Sequence, residues 1–566
     1  MAMPKRAAVP PGTDPRSGFC SATKTFHSLR PAVDLPHPSL PHSVTSYVFQ
    51  ILSADSSTTS RRSEQPAFVD SSSDGRLRVV SYADLVALTR SLASSLLELA
   101  SRGDVAFVLA PASVHVPILY LSLLSIGVVV SPANPLATPE EISSHIHLSK
   151  PKVVFATSAT FSKLPVAASS GSSKPRIVLL DSPEFESFIS SARGHDEEAV
   201  IKQSDRAGIL YSSGTTGGVK GVVLTHRNLM ALIAGLYSVK QQDRASPSVV
   251  MVTVPLFHVY GFFYCMKTVA LGETAVLLTE RFEVGRALRA VEEFRVTTMA
   301  VAPPVVVALV KAANNSSGET RDLSSLEVVA CGGAPLGKEV ILAFASKFPH
   351  VQIAQGYGLT ESTGAAFRQV GTEETRRYGS AGKLSAYTEA KLVDPVTAEP
   401  LPPCREGEVW IRGPTIMKGY IADERATVAA VDSDGWLRTG DLCYIDGEGF
   451  IYVVDRLKEL IKYKGFQVAP AELEHLLQSH PEIIDAAVIP FPDEEGGQLP
   501  MAFVVRRPHS TLNQTQIMDF VAKQVSPHKK IRRVCFITSI PKNPAGKILR
   551  KDLIKLALSG TLASKL

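Results

Sequence analysis

A glycine-rich segment carries the strongest chemical signal in the chain. Residues 211–221 read Tyr-Ser-Ser-Gly-Thr-Thr-Gly-Gly-Val-Lys-Gly and lie between two short apolar runs. Glycines let backbone N–H groups turn toward an anion, and the Ser and Thr hydroxyls and Lys220 add further donors. The segment is not a Walker A loop, because Lys220 is followed by Gly221 instead of Ser or Thr. The pattern predicts a polyphosphate-binding loop outside the P-loop kinases and GTPases; taken alone, it also fits a flexible surface loop.

Two further segments supply groups that suit a nucleotide. Residues 355–361 read Gln-Gly-Tyr-Gly-Leu-Thr-Glu, where the tyrosine can stack on a purine, the threonine can bond phosphate and the glutamate can hold Mg²⁺. Residues 439–441 read Thr-Gly-Asp, and an Asp-Arg pair follows at 455–456. A carboxylate accepts two hydrogen bonds, which matches the vicinal hydroxyls of a ribose. By itself each piece is equally typical of an ordinary turn.

Lysines are concentrated in two segments of the last quarter of the chain. Residues 456–467 read Arg-Leu-Lys-Glu-Leu-Ile-Lys-Tyr-Lys-Gly-Phe-Gln, and residues 541–547 read Pro-Lys-Asn-Pro-Ala-Gly-Lys. The first pattern fits an exposed strand face as well as a binding site. The second predicts a Pro/Gly-rich loop that presents one lysine.

Parallel sheets covered by helices are predicted to position these segments. Apolar runs at 105–109, 153–155, 177–180, 249–254 and 327–330 read as strands, and each neighbours a segment with helical periodicity. Ligands in such folds bind beyond the carboxyl ends of the strands.

The later part of the chain changes character in two steps. Gly, Asp and aromatic residues at short spacing over 407–454 predict turns and antiparallel strands, hence a small β-rich subdomain. A compact α+β pattern follows, with a helix that opens at Pro470. We therefore predict an α/β fold with a large N-terminal domain (1–455), a hinge near 456–458 and a small mobile C-terminal domain (459–566).

Composition excludes several other classes. The 566 residues are 45% hydrophobic and 20% charged, as in ordinary globular proteins. A net charge of only +5 disfavours nucleic acid as the main partner, because a nucleic-acid-binding face shows as a clustered excess. The six cysteines form no Cys-x-x-Cys pair, so neither a zinc site nor a disulfide framework is predicted. The apolar stretch 116–130 is interrupted by Pro, Ser and Gly, which predicts a buried helix and a strand rather than a membrane span.

Together and in this order, the five segments resemble one family closely. The chain looks like the adenylate-forming superfamily of acyl-CoA synthetases, luciferases and peptide-synthetase adenylation domains. Residues 455–473 and 333–339 are similar to plant 4-coumarate:CoA ligases and their relatives. The resemblance runs from about residue 18 to residue 553. It implies an enzyme that uses ATP, Mg²⁺ and coenzyme A to convert a carboxylic acid into an acyl-adenylate and then a thioester.

The resemblance implies a role for each matching position. The residues that would contact ATP or AMP are Ser212, Ser213, Gly214, Thr215, Thr216, Lys220, Gln355, Gly356, Thr360, Asp441, Arg456, Lys458, Lys462, Gln467 and Lys547. Within this set Asp441 and Arg456 would hold the ribose, and Lys547 would bridge the substrate carboxylate and the α-phosphate. The implied catalytic residues are Lys547, Lys220, Glu361 and His258, with Glu361 as the Mg²⁺ ligand. The implied CoA contacts are Arg281, Lys464 and Gly465.

The acyl pocket is where the chain departs from 4-coumarate ligases. By resemblance the pocket contains His258 as a gate and Tyr260, Tyr264, Gly333 and Gly356 as substrate contacts. Tyr264 stands where a small serine is expected, and Ser-Thr-Gly-Ala at 362–365 replaces Ala-Gly-Pro-Val. In the phosphate loop, Val219 replaces the common proline. A hydroxycinnamate, a fatty acid and a jasmonate precursor all stay open as substrates.

Three further functions stay open, together with the compartment. The alternatives are a luciferase-like oxygenase and a catalytically inactive binding protein of the same fold; retention of Lys220, Glu361, Asp441, Arg456 and Lys547 disfavours the latter. A carrier-protein-loading enzyme is a further possibility. The final tripeptide, Ser564-Lys565-Leu566, matches a signal that the peroxisomal import receptor reads, so a peroxisomal location is predicted. The basic, acid-poor first forty residues leave a transit peptide as an alternative.

Overall fold

The computed structural model describes most of the chain. The described residues are 5–6, 9–54, 63–71, 77–165, 174–190, 200–213, 219–240, 247–278, 282–314, 321–464, 466–493, 497–543 and 546–559. Among the predicted positions, Gly214, Thr215, Thr216, Arg281, Gly465 and the tripeptide 564–566 lie outside these ranges. No helix within the described ranges is long and apolar enough to cross a membrane.

The strands, in chain order, are β1 Lys5–Arg6, β2 Phe19–Cys20, β3 Thr25–His27, β4 Pro31–Ala32, β5 Pro66–Ser71, β6 Leu77–Ser81, β7 Val105–Leu109, β8 Val129–Pro132, β9 Val153–Ala156, β10 Arg176–Leu179, β11 Arg206–Ser213, β12 Val219–Thr225, β13 Val249–Val252, β14 Thr274–Leu278, β15 Thr298–Val301, β16 Val328–Cys331, β17 Gln352–Leu359, β18 Gly364–Arg368, β19 Lys383–Leu384, β20 Glu389–Val393, β21 Pro400–Leu401, β22 Gly407–Arg412, β23 Gly419–Tyr420, β24 Leu437–Ile445, β25 Ile451–Arg456, β26 Ile461–Tyr463, β27 Phe466–Val468, β28 Ile483–Asp493, β29 Gly497–Arg506 and β30 Arg533–Phe536.

The α-helices, in chain order, are α1 Val44–Ala54, α2 Tyr82–Leu96, α3 His115–Ser125, α4 Pro139–Ser149, α5 Ser158–Phe161, α6 Pro183–Ser190, α7 His226–Tyr237, α8 Val259–Leu271, α9 Val284–Glu293, α10 Pro303–Asn314, α11 Lys338–Lys347, α12 Gly371–Thr375, α13 Glu424–Ala430, α14 Pro470–Gln478, α15 Gln514–Ala522 and α16 Arg550–Leu558. Short 3₁₀ turns occupy Thr360–Ser362 and Pro527–Lys529.

Two mainly parallel sheets form the body of the molecule. The first has the order β10-β9-β7-β8-β11-β12-β23, and the second has the order β19-β18-β17-β16-β15-β13-β14-β5-β6. Strands inside these sheets are continuous apolar runs, such as the fully buried β7, because helices cover both faces. One hydrophobic core includes residues of both sheets and of α1, α3, α7 and α8. Because α8 is apolar almost all round, it is buried on nearly every side.

A third, antiparallel sheet adjoins this core and carries part of the site. Its order is β2-β3-β20-β22-β24-β25, with β21 beside β20. Residues 461–558, hereafter the C-terminal unit, form a separate sheet of order β27-β26-β29-β28 with β30 beside β29. Each face of that sheet has its own hydrophobic cluster.

The predicted fold class is confirmed: an α/β N-terminal region with parallel sheets, a β-rich part and a small α+β C-terminal part. The predicted buried helix and strand within 116–130 are α3 and β8, and the predicted helix at Pro470 is α14. The domain boundary, the hinge at 456–458 and the mobility of the C-terminal part stay predictions.

Candidate active site

The hairpin of β11 and β12 holds the two ends of the glycine-rich segment. Ser212 and Lys220 are directly opposite each other in the antiparallel register. Tyr211 fixes the end of β11, because its hydroxyl lies 2.7 Å from that of Ser131 and its ring stacks on His145 with the centroids 3.9 Å apart. Of the predicted phosphate contacts, residues 214–216 lie outside the described ranges, and for Ser213 only the backbone is described.

Glu361 meets this hairpin at the 3₁₀ turn that follows β17. Its Oε1 accepts hydrogen bonds from the hydroxyls of Ser212 at 3.3 Å and Tyr420 at 2.9 Å. The ammonium group of Lys220 lies 4.4 Å from the centroid of the Tyr420 ring, a cation–π contact. Burial, and then the nearby Glu361, raises the pKa of the Tyr420 phenol, which therefore stays a hydrogen-bond donor.

Tyr420 is a site residue that the sequence did not single out. It comes from the short edge strand β23 and is 59 positions from Glu361, so no local spacing links the two. Tyr420 contacts both Lys220, the predicted phosphate-binding cation, and Glu361, the predicted Mg²⁺ ligand.

Asp441 and Arg456 are register partners on β24 and β25. The Arg456 Nε lies 3.2 Å from Asp441 Oδ1, and the Tyr357 hydroxyl donates to Asp441 Oδ2 at 2.7 Å. Burial raises the pKa of Asp441, and Arg456 and Tyr357 oppose that shift by stabilising the carboxylate. The Asp441 carboxylate is therefore held by two residues from different sheets, Arg456 in the third sheet and Tyr357 in the second.

The rest of the 355–361 segment lies along β17. The Gln355 side chain donates to the backbone carbonyl of Ser380 at 3.1 Å. Gly356 pairs with Arg368 on β18, and a Cβ at this glycine would lie 3.3 Å from the carbonyl oxygen of Phe367. Thr360 is buried at the end of the segment.

Lys547 lies on a C-terminal loop that reaches this cluster. Its backbone N–H donates to the Asn543 side chain at 2.9 Å, and the loop turns at Gly546, whose φ is +81°. A Cβ at Gly546 would lie 2.8 Å from Pro304, so the loop approaches α10 closely. Burial, and then Arg456, lowers the pKa of the Lys547 ammonium, while Glu459 and Asp441 act in the opposite direction.

Lys458 completes a group of cations. Burial lowers its pKa to about 8, and Arg456 and Lys547 contribute to the same shift. Three cations therefore face the two carboxylates of Asp441 and Glu459. Such a group repels further cations and favours an anionic ligand.

A buried ion network ties the Lys547 loop to the predicted hinge. Arg550, three residues after Lys547, lies 2.6 Å from Glu459 and 2.7 Å from both oxygens of Glu474. Asp455 accepts hydrogen bonds from the backbone N–H groups of Arg456 and Ala471. Arg550 was not among the residues predicted from the sequence, although its closeness to the predicted lysine was a usable signal.

The remaining predicted contacts lie apart from this cluster. Lys462 and Gln467 are cross-strand partners in the β26–β27 hairpin, and Lys464 sits at its tip with a φ of +48°. Gln467 is exposed on this hairpin. Within the described ranges, no hydrogen bond or ion pair joins these side chains to Asp441 or Lys547.

The predicted acyl-pocket residues line one end of α8. His258 caps the helix by accepting from the backbone N–H of Tyr260 at 3.4 Å, and burial lowers its pKa, so the ring is neutral. Tyr260 donates to the carbonyl of Ala330 at 2.9 Å, and its ring makes an edge contact with Tyr264, with the centroids 5.3 Å apart. A Cβ added at Gly333 would meet open space.

A cavity of about 600 Å³ lies elsewhere, between the N-terminal segment and the third sheet. Its arginines are already paired: Arg30 with Glu374, and Arg377 with Glu448. No predicted site residue lines it. We therefore place the candidate active site at two groups of residues, one around Glu361 and one around Asp441 and Lys547. The 355–361 segment contributes to both, because Tyr357 donates to Asp441 and Glu361 accepts from Ser212.

Comparisons with known proteins show which family the chain belongs to. The family model described as "AMP-binding enzyme" matches residues 56–421, and the model of the AMP-binding enzyme C-terminal domain matches residues 472–547. The chain is 51% identical to 4-coumarate–CoA ligase-like 9 of Arabidopsis thaliana, over 98% of each protein. It is 47% identical to Peroxisomal OPC-8:0-CoA ligase 1 of the same species, over 96% of this chain and 98% of that protein.

A solved structure gives the same result for the fold. The crystal structure of ATP-bound MatB from Rhodopseudomonas palustris superimposes with a TM-score of 0.79 at 25% identity, covering 91% of this chain and 99% of that one. The chain belongs to the AMP-binding enzyme family, the adenylate-forming acyl-CoA ligases.

Proposed function

We propose that the protein activates a carboxylic acid with ATP, releasing pyrophosphate, and then transfers the acyl group from the adenylate to coenzyme A, releasing AMP. The observation that carries the proposal is the position of Lys547. A lysine on a loop of the C-terminal unit lies within electrostatic range of Asp441 and Arg456, which belong to the third sheet. One site thus combines a fixed carboxylate for a ribose with cations for phosphates.

The first step needs positive groups close to the negative charge on the phosphoryl and carboxylate oxygens. The substrate carboxylate oxygen attacks the α-phosphorus, and charge spreads over the phosphoryl oxygens as pyrophosphate leaves. Lys547 and Lys220 would stabilise that charge, and Arg456 and Asp441 would hold the ribose. Burial makes these interactions stronger than they would be in water.

Glu361 fits the role of a Mg²⁺ ligand. Mg²⁺ is usually held by one or two carboxylates together with substrate phosphates. Glu361 offers that single carboxylate, since Oε1 accepts from Ser212 and Tyr420 while Oε2 has no hydrogen-bond partner among the described residues. No group of three His, Cys, Asp or Glu side chains within the described ranges could hold a metal without substrate. The ion would neutralise charge on the phosphates.

The second step needs the lysine to withdraw. A thiol with a pKa near 8.5 is only about 3% ionised at pH 7 but is intrinsically nucleophilic. It requires a free path to the adenylate carbonyl. We propose that the C-terminal unit turns about residues 456–458, removes Lys547 and brings the Lys464 hairpin to the CoA path, with Arg281 as a further CoA contact.

The substrate is proposed to be a medium-chain or cyclopentanone-bearing acid rather than 4-coumarate. Tyr264 occupies the pocket where a smaller residue would admit a hydroxycinnamate ring. The relative named as an OPC-8:0-CoA ligase supports the choice of an acid other than 4-coumarate. The same relative is named as peroxisomal and, with the tripeptide 564–566, supports import into peroxisomes through the import receptor.

The test is a panel of acids assayed for both pyrophosphate and acyl-CoA. We expect both products from medium-chain and cyclopentanone-bearing acids, with a lower kcat/KM for 4-coumarate. A higher kcat/KM for 4-coumarate than for every other acid would contradict the substrate proposal. Pyrophosphate release with light emission from a luciferin would instead favour the oxygenase. No pyrophosphate with any acid would favour the inactive binding protein.

A further inference from the structure

Arg368 lies beside the glycine that is proposed to line the acyl pocket. It stands directly opposite Gly356 in the β17–β18 register, so both residues face the same side of the sheet. A Cβ at Gly356 would lie 3.7 Å from the Cβ of Arg368. The absence of a side chain at Gly356 therefore leaves room for the arginine.

The guanidinium group is placed by two helices. Its Nη2 donates to the backbone carbonyl of Gly235 on α7 at 2.8 Å. Tyr264 of α8 is also near, close enough for its phenol and the guanidinium to influence each other's pKa. The backbone of Arg368 is also fixed, since its carbonyl accepts from Arg30 at 2.9 Å.

Most of the donors of this cation have no protein partner. A guanidinium has five N–H groups, and the bond to Gly235 is the only one that the side chain of Arg368 makes with the described residues. No carboxylate of those residues lies within 4.0 Å of it. Burial lowers its pKa to about 10, which still leaves it protonated at neutral pH. A partly buried, protonated guanidinium whose free N–H groups lack a protein acceptor gains from a ligand that supplies one.

The site retains some open space. Part of the Arg368 surface is accessible to solvent, although its chain neighbours Phe367 and Gln369 are buried. A cavity of about 10 Å³, enough for about one water molecule, is lined by Gly235, Ala365 and Arg368. Tyr264, which faces Arg368, is six residues along α8 from His258, about 9 Å at 1.5 Å per residue.

We infer that Arg368 recognises an oxygen acceptor, a ketone or a second carboxylate, at the far end of the acyl substrate. This rests on the proposed function, in which the reacting carboxylate lies at the His258 end of the pocket. An acid with an oxygen near Tyr264 satisfies the free N–H groups. A plain hydrocarbon chain leaves them unpaired, so the enzyme discriminates against it.

The experiment compares three acids of one chain length: the plain fatty acid, the same chain bearing a terminal cyclopentanone, and the α,ω-dicarboxylic acid. Pyrophosphate release gives kcat/KM for the native protein, Arg368→Met and Arg368→Lys. Arg438→Met, which alters an exposed arginine stacked on Trp410, is the control.

The native protein should prefer at least one oxygen-bearing acid. In Arg368→Met that preference should fall by roughly 10- to 150-fold, the range for a hydrogen bond to a charged group, while kcat/KM for the plain acid stays the same or rises. Arg368→Lys should keep part of the preference, because it keeps the charge but loses the planar fork. The acid whose advantage disappears identifies the acceptor as a ketone or a carboxylate.

Two results would overturn the inference. One is that the native protein has the same kcat/KM for the plain acid as for both oxygen-bearing acids. The other is an equal loss of kcat/KM for all three acids in Arg368→Met with normal thermal unfolding. If Arg368→Met does not fold, the same comparison of kcat/KM among the three acids in Arg368→Lys decides. Absence of pyrophosphate with every acid in the native protein would instead contradict the proposed function itself.

Discussion

Replacing Arg550 should loosen the C-terminal unit and displace Lys547. The side chain is only 12% exposed and contacts Glu474, which is 7% exposed, through two bonds of 2.7 Å. Arg550→Met leaves the Glu474 carboxylate buried without its cation. Breaking a buried ion pair from one side costs about 3–5 kcal/mol. Opening of α14 and β28 should therefore become roughly 150- to 5,000-fold more frequent.

Amide hydrogen exchange measured by mass spectrometry on peptides from 470–506 reports this opening. The two tryptophans, Trp410 and Trp436, lie in or beside the third sheet, so their fluorescence monitors the rest of the molecule and should not change. Arg532→Met is the matched control, because that arginine is exposed in the same unit and should have an effect within about 0.5 kcal/mol.

A second variant separates loss of the ion pair from loss of packing. Arg550→Met combined with Glu474→Leu removes this pair and leaves only Glu459, which is 18% exposed, without its arginine; replacing a buried pair by apolar residues is often neutral. The double variant should recover most of the protection from exchange. Unchanged exchange in Arg550→Met, or no recovery in the double variant, would refute the role assigned to this pair.

Three shorter predictions follow from other parts of the structure. Tyr420→Phe removes a hydrogen bond to the Glu361 carboxylate and should lower kcat/KM for pyrophosphate release about 10- to 100-fold. Tyr444→Phe, which alters a tyrosine stacked on Tyr452 in the third sheet, should have little effect, and equal activities of the two variants would contradict the contact. Burial lowers the pKa of His226 from 6.5 to about 4, so the unfolded chain binds a proton that the folded ring resists. The native protein should therefore be most stable above pH 6.5 and lose stability as the pH falls toward 4. When unfolding is measured at each pH, this loss should be about 3 kcal/mol larger than in His226→Gln. Identical pH profiles of the two proteins would disprove this. Deleting residues 564–566 should leave a fluorescently tagged protein in the cytosol, and continued import into peroxisomes would show that the tripeptide is incidental.

Local sequence patterns predicted the elements and the polar segments well. Apolar runs such as 105–109 became buried strands because the helices on both sides leave no polar environment for them. A threonine just before a helical pattern is a local capping signal, and the Thr225 hydroxyl caps α7 by accepting from the backbone N–H of Asn228 at 3.2 Å. Such features depend on neighbours within four residues, which the sequence displays directly.

Contacts between distant segments were not visible in the same way. Tyr420 reaches Glu361 across two sheets, and Arg550 reaches Glu459 across 91 positions. The position of Arg368 opposite Gly356 depends on the β17–β18 register and on a shift of that register between Tyr357 and Gly358. No periodicity or spacing encodes these pairs, because they arise from tertiary packing.

Lys547 is proposed to act in adenylate formation and not in thioester formation. The direct measurement is the rate of each half-reaction in Lys547→Ala: pyrophosphate exchange for the first, and release of AMP from preformed acyl-AMP and CoA for the second. Lys542→Ala is the control, because that lysine is on the same loop but is paired with Asp485 at 2.6 Å. We expect the first rate to fall about 10²- to 10³-fold, roughly 2.7–4 kcal/mol, with the second rate and the control close to native. Equal losses in both half-reactions, or pyrophosphate exchange at the native rate, would contradict the account.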